Sequence, residues 1–263
     1  GGSVARDLAA AGHHVLGFDR SAATLRAARR ARVIEGTIGP DFDGLESCDV
    51  CVIAVPVTDA PRLLARAARA LATVPLITDV GSTKRSIVRA AEAVGLGRHF
   101  IGAHPFAGDH RSGWRASRRG LFRDAPLFLT PARSTPPATL ARARRFWRVM
   151  GARPRELSPA KHDQLMAGAS HVPQLVSSML AVTLAGAGIP RSALGSGGRD
   201  VSRLAGADRV VWTAILQDNA DRIVPMLRAH ERTVRRVRSA LAAGRASDLS
   251  LLLRAANGWH RAR

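Results

Sequence analysis

Apolar positions along the chain follow two periods, and the way these alternate predicts most of the secondary structure. Up to residue 157, short apolar runs are separated by stretches in which apolar residues recur three and four positions apart. The runs at 14–19, 33–34, 48–56, 76–80, 100–103, 126–131 and 153–157 predict extended segments or strands. The stretches at 4–12, 22–30, 61–71, 84–94 and 137–150 predict helices. This alternation predicts an α/β fold, a doubly wound Rossmann-like parallel sheet. Beyond residue 158 the strand runs stop, and 158–169, 173–187, 208–239 (broken near Pro225) and 247–257 carry helical spacing. A sheet domain over 1–157 followed by an all-helical domain over 158–263 is therefore expected.

Open α/β sheets bind ligands at the carboxyl ends of their strands, and polar residues are concentrated at two such ends. One is Asp79-Val80-Gly81-Ser82-Thr83-Lys84; the other is His104-Pro105-Phe106-Ala107-Gly108-Asp109-His110. Ser82 or Thr83 is suited to cap the helix that follows, which would turn free backbone N–H groups toward the crevice shared with His104. From spacing alone, a proton-transfer pair and a simple cap beside a strand-end histidine are equally open readings. Near the start, Gly1-Gly2 lead into a helix, and the next strand ends at Asp19. That is the second half of a dinucleotide-binding βαβ unit, with the carboxylate placed to accept from a ribose. The strand and first glycines of the fingerprint are not in the sequence, so the expectation is a truncated or misassigned start.

Composition narrows the function. The chain has 263 residues and 46% hydrophobic content, with no unbroken apolar run of bilayer length and no secretory leader, so a soluble cytoplasmic protein without a membrane partner is expected. Its net charge of +20 raises the question of nucleic acid. The basic residues, almost all arginine, are spread through amphipathic helices, there is no Tyr, and no nucleic-acid motif is present, so solvated helix faces are expected instead. Cys48 and Cys51 form a C-x-x-C that reads as a redox pair, half a zinc site, or two small residues of a buried strand; the strand pattern around them favours the last, and no metal site is expected. In the helical part, Ser170-His171-Val172-Pro173-Gln174 and the glycine-rich stretch bearing Arg199 and Arg203 are the polar constellations. Two arginines on such a loop suit bidentate capture of carboxylates.

Taken together, these motifs resemble the prephenate/arogenate dehydrogenase family of tyrosine biosynthesis. The resemblance extends through Ser112-Gly113, Leu121-Phe122, Leu129-Thr130-Pro131, His162-Asp163, Ser202-Arg203-Leu204-Ala205, Trp212 and Asn219. It implies oxidative decarboxylation of a cyclohexadienyl substrate with NAD as cofactor and a homodimeric assembly. By resemblance, His104 takes or shares the substrate hydroxyl proton and Ser82 orients it. Arg203 binds the ring carboxylate, and His171 and Arg199 line the side-chain end of the pocket. Cofactor contact falls to Gly1, Gly2, Asp19, Val55, Pro56 and Gly81. Many relatives carry an acid where His110 stands, a departure at the pocket mouth. Two other readings stay open: a related two-domain NAD(P)-dependent reductase or β-hydroxyacid dehydrogenase, and a cofactor-deficient remnant acting as a basic binding protein.

Overall fold

A computed structural model describes residues 1–108 and 113–262; the His110 and Ser112 positions lie outside the described residues. By packing, the chain forms two compact units, Gly1–Asn219 and Ala220–Arg263. The first opens with α1 (Gly2–Ala10), β1 (Leu16–Gly17), α2 (Ala22–Arg30) and β2 (Gly36–Thr37). It continues through β3 (Val50–Ile53), α3 (Ala60–Leu71), β4 (Leu76–Asp79), α4 (Arg85–Ala93) and β5 (Phe100–Pro105). Then come β6 (Pro126–Pro131), α5 (Pro137–Val149) and β7 (Arg153–Glu156). Helices α6 (Pro159–Met166), α7 (Val172–Gly186), α8 (Ser196–Val201) and α9 (Arg209–Asp218) complete this unit, and α10 (Ala220–Ala242) and α11 (Ala246–Arg261) form the second.

Strands β4 and β5 are buried along their whole length because both faces are covered. Successive residues point to opposite sides, so Ile77 and Phe100 join a core with Leu64 of α3 and Ile87 of α4. Leu76 and Ile101 join another with Val4 of α1 and Trp147 of α5. Burying each such side chain contributes roughly 1.5–3 kcal/mol, which is why these strands read as unbroken apolar runs.

The sheet departs from the expected pattern in three places. It is divided: β1 pairs only with β2, while β3-β4-β5-β6-β7 form a separate five-stranded sheet. Helix α1 spans the two, with Val4 and Leu8 in the core of the larger sheet and Ala5 beside Val15 and Ile34 of the smaller. The second short strand forms at Gly36–Thr37 rather than at 33–34, where Val33 and Ile34 are instead buried core. Strand β6 runs antiparallel to β5, with His104 opposite Phe128, and the other pairings are parallel. Between Gly113 and Ala125 there is only a short 3₁₀ turn, and without a crossover helix the chain returns beside β5 in the opposite sense.

The helical part also differs from its sequence pattern. Helix α6, a π-helical turn over Ala167–His171, and α7 run as one 28-residue helix, Pro159–Gly186, long and apolar enough by length and composition to cross a bilayer. It passes that test because mean hydropathy sums both faces; it is not an unbroken apolar run, since Lys161, His162 and Asp163 stand near its start. One face buries His162, Asp163, His171, Gln174 and Ser177, while Leu165, Met179 and Val182 on other faces are exposed. Helix α10 runs through Pro225, and the break falls at Asn219 instead, where the side chain is drawn into the cluster described below.

Candidate active site

The loop from β4 to α4 is held by a buried ion pair. Asp79 and Lys84 are 1% and 0% exposed, and the ammonium binds Asp79 Oδ2. Lys84 Nζ also donates to the Ala103 carbonyl (3.0 Å), while the Ala103 N–H donates to Asp79 Oδ1 (2.8 Å). The pair thus grips both peptide groups of the residue before His104. Burial lowers the Lys84 pKa, and the Asp79 charge opposes that shift. Gly81 donates its N–H to Asp79 Oδ2 (2.8 Å), and a Cβ there would come within 2.9 Å of the same oxygen. Packing against this carboxylate therefore accounts for the glycine.

Neither Ser82 nor Thr83 caps α4. Its first backbone N–H groups point at a residue 79 positions on: Asp163 Oδ1 accepts from Lys84 N (2.8 Å) and Oδ2 from Arg85 N (3.0 Å). The Arg85 guanidinium adds a third bond to Asp163 (Nε to Oδ2, 3.2 Å). A charged carboxylate on free helical N–H groups outcompetes a neutral hydroxyl, which explains the correction. Ser82 is half-buried in the same loop, and no hydrogen bond joins it to His104 among the described residues.

The same carboxylate reaches the histidines. Asp163 Oδ1 lies 2.8 Å from His162 Nδ1, and His162 Nε2 lies 2.9 Å from His104 Nδ1. Asn219 Nδ2 donates to the Asp163 carbonyl (2.8 Å) and to His171 Nδ1 (3.1 Å). His104, His162 and His171 are 8%, 0% and 1% exposed. Burial, with His162, Lys84 and His171 adding to it, pushes the His104 pKa well below the ordinary value of 6.5. Burial lowers His162 as well, against the bond from Asp163, and lowers His171 to about 4. Asp163 would be raised by burial, but its bonds from His162, Arg85 and Lys84 hold it below the usual carboxylate range. His104 is therefore a neutral imidazole at neutral pH, with Phe106 edge-on at 6.0 Å. This network brings together the sequence candidates His104 and His171. Its other members, Asp79, Lys84, His162, Asp163 and Asn219, carried no assigned role in the sequence reading.

The candidate cofactor residues converge elsewhere in the same unit. Asp19 follows β1, Ala54, Val55 and Pro56 follow β3, and Gly1 and Gly2 open α1. A Cβ on Gly1 would lie 3.1 Å from that of Ala54, and one on Gly2 would lie 2.8 Å from Ser117 Cβ. The N-terminus of α1 has no side-chain cap, and its first helical bond is Ala5 N to Gly1 O. The N–H groups of Gly2, Ser3 and Val4 thus suit an anion, with the exposed Asp19 close by for a sugar hydroxyl. This glycine-lined cradle fits a dinucleotide. Cys48 and Cys51 are free, and burial raises the Cys51 thiol to about 12, so it is a small core residue and not a ready thiolate.

Arg199 and Arg203 are both exposed, and no hydrogen bond joins either to the histidines among the described residues; the turn carrying Arg203 is tied to α7 by Gln174 Nε2, which donates to the Leu204 carbonyl (2.7 Å). Arg199 donates to the Leu194 carbonyl. Arg203 lines an open cavity of about 770 Å³ with Leu184, Ile189, Arg191 and Ser202.

Two family descriptions match the chain in order: "Prephenate dehydrogenase, nucleotide-binding domain" over residues 4–155 and "Prephenate dehydrogenase, dimerization domain" over 158–255. The chain belongs to the prephenate dehydrogenase family. It is similar to the prephenate dehydrogenase of Bacillus subtilis, 31% identical over 235 residues, covering 87% of this chain but 63% of that protein. The chain thus spans less than two thirds of that relative's length. Among solved structures it is similar to the arogenate dehydrogenase of Synechocystis (TM-score 0.80, 28% identity, 99% of this chain and 95% of that one). It also shares its fold with the prephenate dehydrogenase of A. aeolicus solved with hydroxyphenyl propionate and NAD⁺ (TM-score 0.88, 24% identity, 98% and 93%). Within the prephenate dehydrogenase family, then, this chain carries a glycine-lined helix N-terminus, a buried histidine network and two exposed arginines.

Proposed function

We propose that this protein catalyses NAD-dependent oxidative decarboxylation of a cyclohexadienyl carboxylate, prephenate or arogenate, to a phenol. What carries the reading is a neutral, buried His104 on a strand end, in a chain that also holds a glycine-lined helix N-terminus and matches both parts of the prephenate dehydrogenase family. Residues 1–157 would hold the cofactor, with Gly1, Gly2 and the α1 N-terminus at the pyrophosphate, Asp19 at the ribose, and Val55, Pro56 and Gly81 along the strand ends. Bound there, an oxidised nicotinamide dinucleotide supplies the acceptor for the hydride that leaves C4 with its electron pair. As C4 becomes a carbonyl, the imidazole of His104 takes the hydroxyl proton, with Ser82 orienting that hydroxyl. Loss of CO₂ then returns electrons through the ring to the oxygen, which recovers the proton from His104.

Arg203 would hold the ring carboxylate, and Arg199 and His171 the side-chain end, so that C4 is fixed before reaction. Residues 158–263 would also form the homodimer, with α7 at its centre. The family's dimerization domain covers this segment, and Met179 and Val182 are exposed on it. A partner subunit, not a bilayer, would cover that apolar face. The protein is read as cytoplasmic and without a nucleic-acid partner.

Steady-state assays with prephenate and arogenate, each with NAD⁺ and NADP⁺, test the reading. NAD⁺-dependent release of CO₂ with at least one substrate is expected, with NAD⁺ preferred because Asp19 repels a 2′-phosphate. Inactivity with all four combinations in a protein that binds NAD⁺ would overturn it.

A further inference from the structure

We propose that Asp163 and His162 act in series to fix the tautomer of His104, leaving Nε2 as its basic atom. This rests on the proposed role of His104 and names the residues that prepare it. The Asp163 carboxylate is met by Lys84 N, Arg85 N, Arg85 Nε and His162 Nδ1. A carboxylate held ionised by so many donors only accepts, so His162 Nδ1 must carry a proton. A second proton on Nε2 would place a cation at a site with no exposure, close to the Lys84 ammonium. His162 Nε2 is therefore bare and accepts, which requires the proton of His104 to be on Nδ1. A neutral imidazole has one such proton, so His104 Nε2 is left with its lone pair.

The remaining charged groups do not compete for this chain. Lys84 is engaged by Asp79 and the Ala103 carbonyl, and His171 is bonded to Asn219. During turnover the substrate O–H bond breaks and an N–H bond forms at His104 Nε2. No proton needs to pass along the series: Asp163 stays ionised, His162 keeps its Nδ1 proton, and both stabilise the imidazolium through the existing bonds. His162 and Asp163 are thus positioning residues.

The test is ¹⁵N spectroscopy of imidazole-labelled full-length chain at pH 7.5, alongside kinetics. The wild-type protein should show His104 protonated at Nδ1 and bare at Nε2. In Asp163→Asn the amide can donate to His162 Nδ1, which reverses both histidines. Turnover should then fall ~10²–10⁴-fold with KM for the cyclohexadienyl substrate little changed, as orienting-carboxylate replacements do in other histidine relays. Because Asp163 also caps α4, His162→Phe is the second variant: it keeps that cap and removes the acceptor, releasing His104 toward the Nε2–H tautomer with a similar loss of turnover. A wild-type His104 protonated at Nε2, or an unchanged tautomer in both variants, would overturn the proposal. The expected spectra in a protein inactive on both substrates would sink the functional reading and leave the relay standing.

Discussion

The histidine network and the arginine loop belong to one compact unit but are built in opposite ways. Around His104, the charged groups are buried and committed: a carboxylate binds two helix N–H groups, a lysine grips the neighbouring peptide, and an amide holds His171. Arg203, by contrast, is exposed and lines an open cavity. Under the proposed function, the proton-handling groups would be held by the protein itself, whereas Arg203 would find its main partner in the substrate. Burial at the first site sets pKa values, and exposure at the second leaves its arginines solvated and adjustable.

Substitutions separate the two regions, and the largest effect should come from the first. His104→Asn should lower kcat ~10²–10⁴-fold with KM nearly unchanged, measured by initial rates at saturating NAD⁺. Near-normal turnover would make His104 a structural residue. Lys84→Met should destabilise by about 3–5 kcal/mol, because it leaves Asp79 charged and unpaired in the core. Urea unfolding measures this, and a midpoint equal to wild type would contradict the clamp on Ala103. In the second region, Arg203→Ala should raise KM ~10–100-fold with a smaller loss of kcat, and Arg203→Lys should recover part of it. Its urea midpoint should stay at the wild-type value.

The smallest contrast is in pH dependence. In the unfolded chain imidazoles take up protons near 6.5, whereas His171 does so only near 4, and His104 and His162 are also depressed. Unfolding therefore binds protons between those values, and stability should fall as pH drops from about 6.5 toward 4, by up to ~1.4 kcal/mol per unit for each histidine. Urea midpoints across that window should fall less steeply in His171→Gln, and an unchanged slope would remove His171 from the buried set. Arg203→Ala should leave the slope as it is.

Sequence pattern made visible what depends on neighbouring residues. The runs at β4 and β5 identify themselves because burial on both faces leaves no room for polar positions. His104 is conspicuous as a polar residue at the end of such a run. What escaped depends on distant pairing. The cap of α4 comes from Asp163, so Ser82 and Thr83, the local candidates, were misleading. The role of His162 exists only relative to a strand end 58 positions earlier. The direction of β6 has no residue signature, although the lack of a helix between Gly113 and Ala125 is a usable sign. The joining of α6 to α7 was hidden by Pro173, which reads as a helix start but here follows the wide turn.

That wide turn sets a rotational phase. A π-helical turn adds one residue to the helix circuit, and in an α-helix one residue corresponds to about 100°. Over Ala167–His171 the extra residue lets His162 and Asp163 before the turn, His171 at its end and Gln174 after it share one buried face. The segment behaves like two shafts joined by a keyed coupling: with the residue count unchanged, tightening 167–171 to regular α-helix would leave the first shaft seated on α4 and turn the second by about a quarter revolution. His171 would swing off Asn219 while the bonds of Asp163 to Lys84 and Arg85 remained, so the two halves of the buried network are indexed to each other by a single residue of helix.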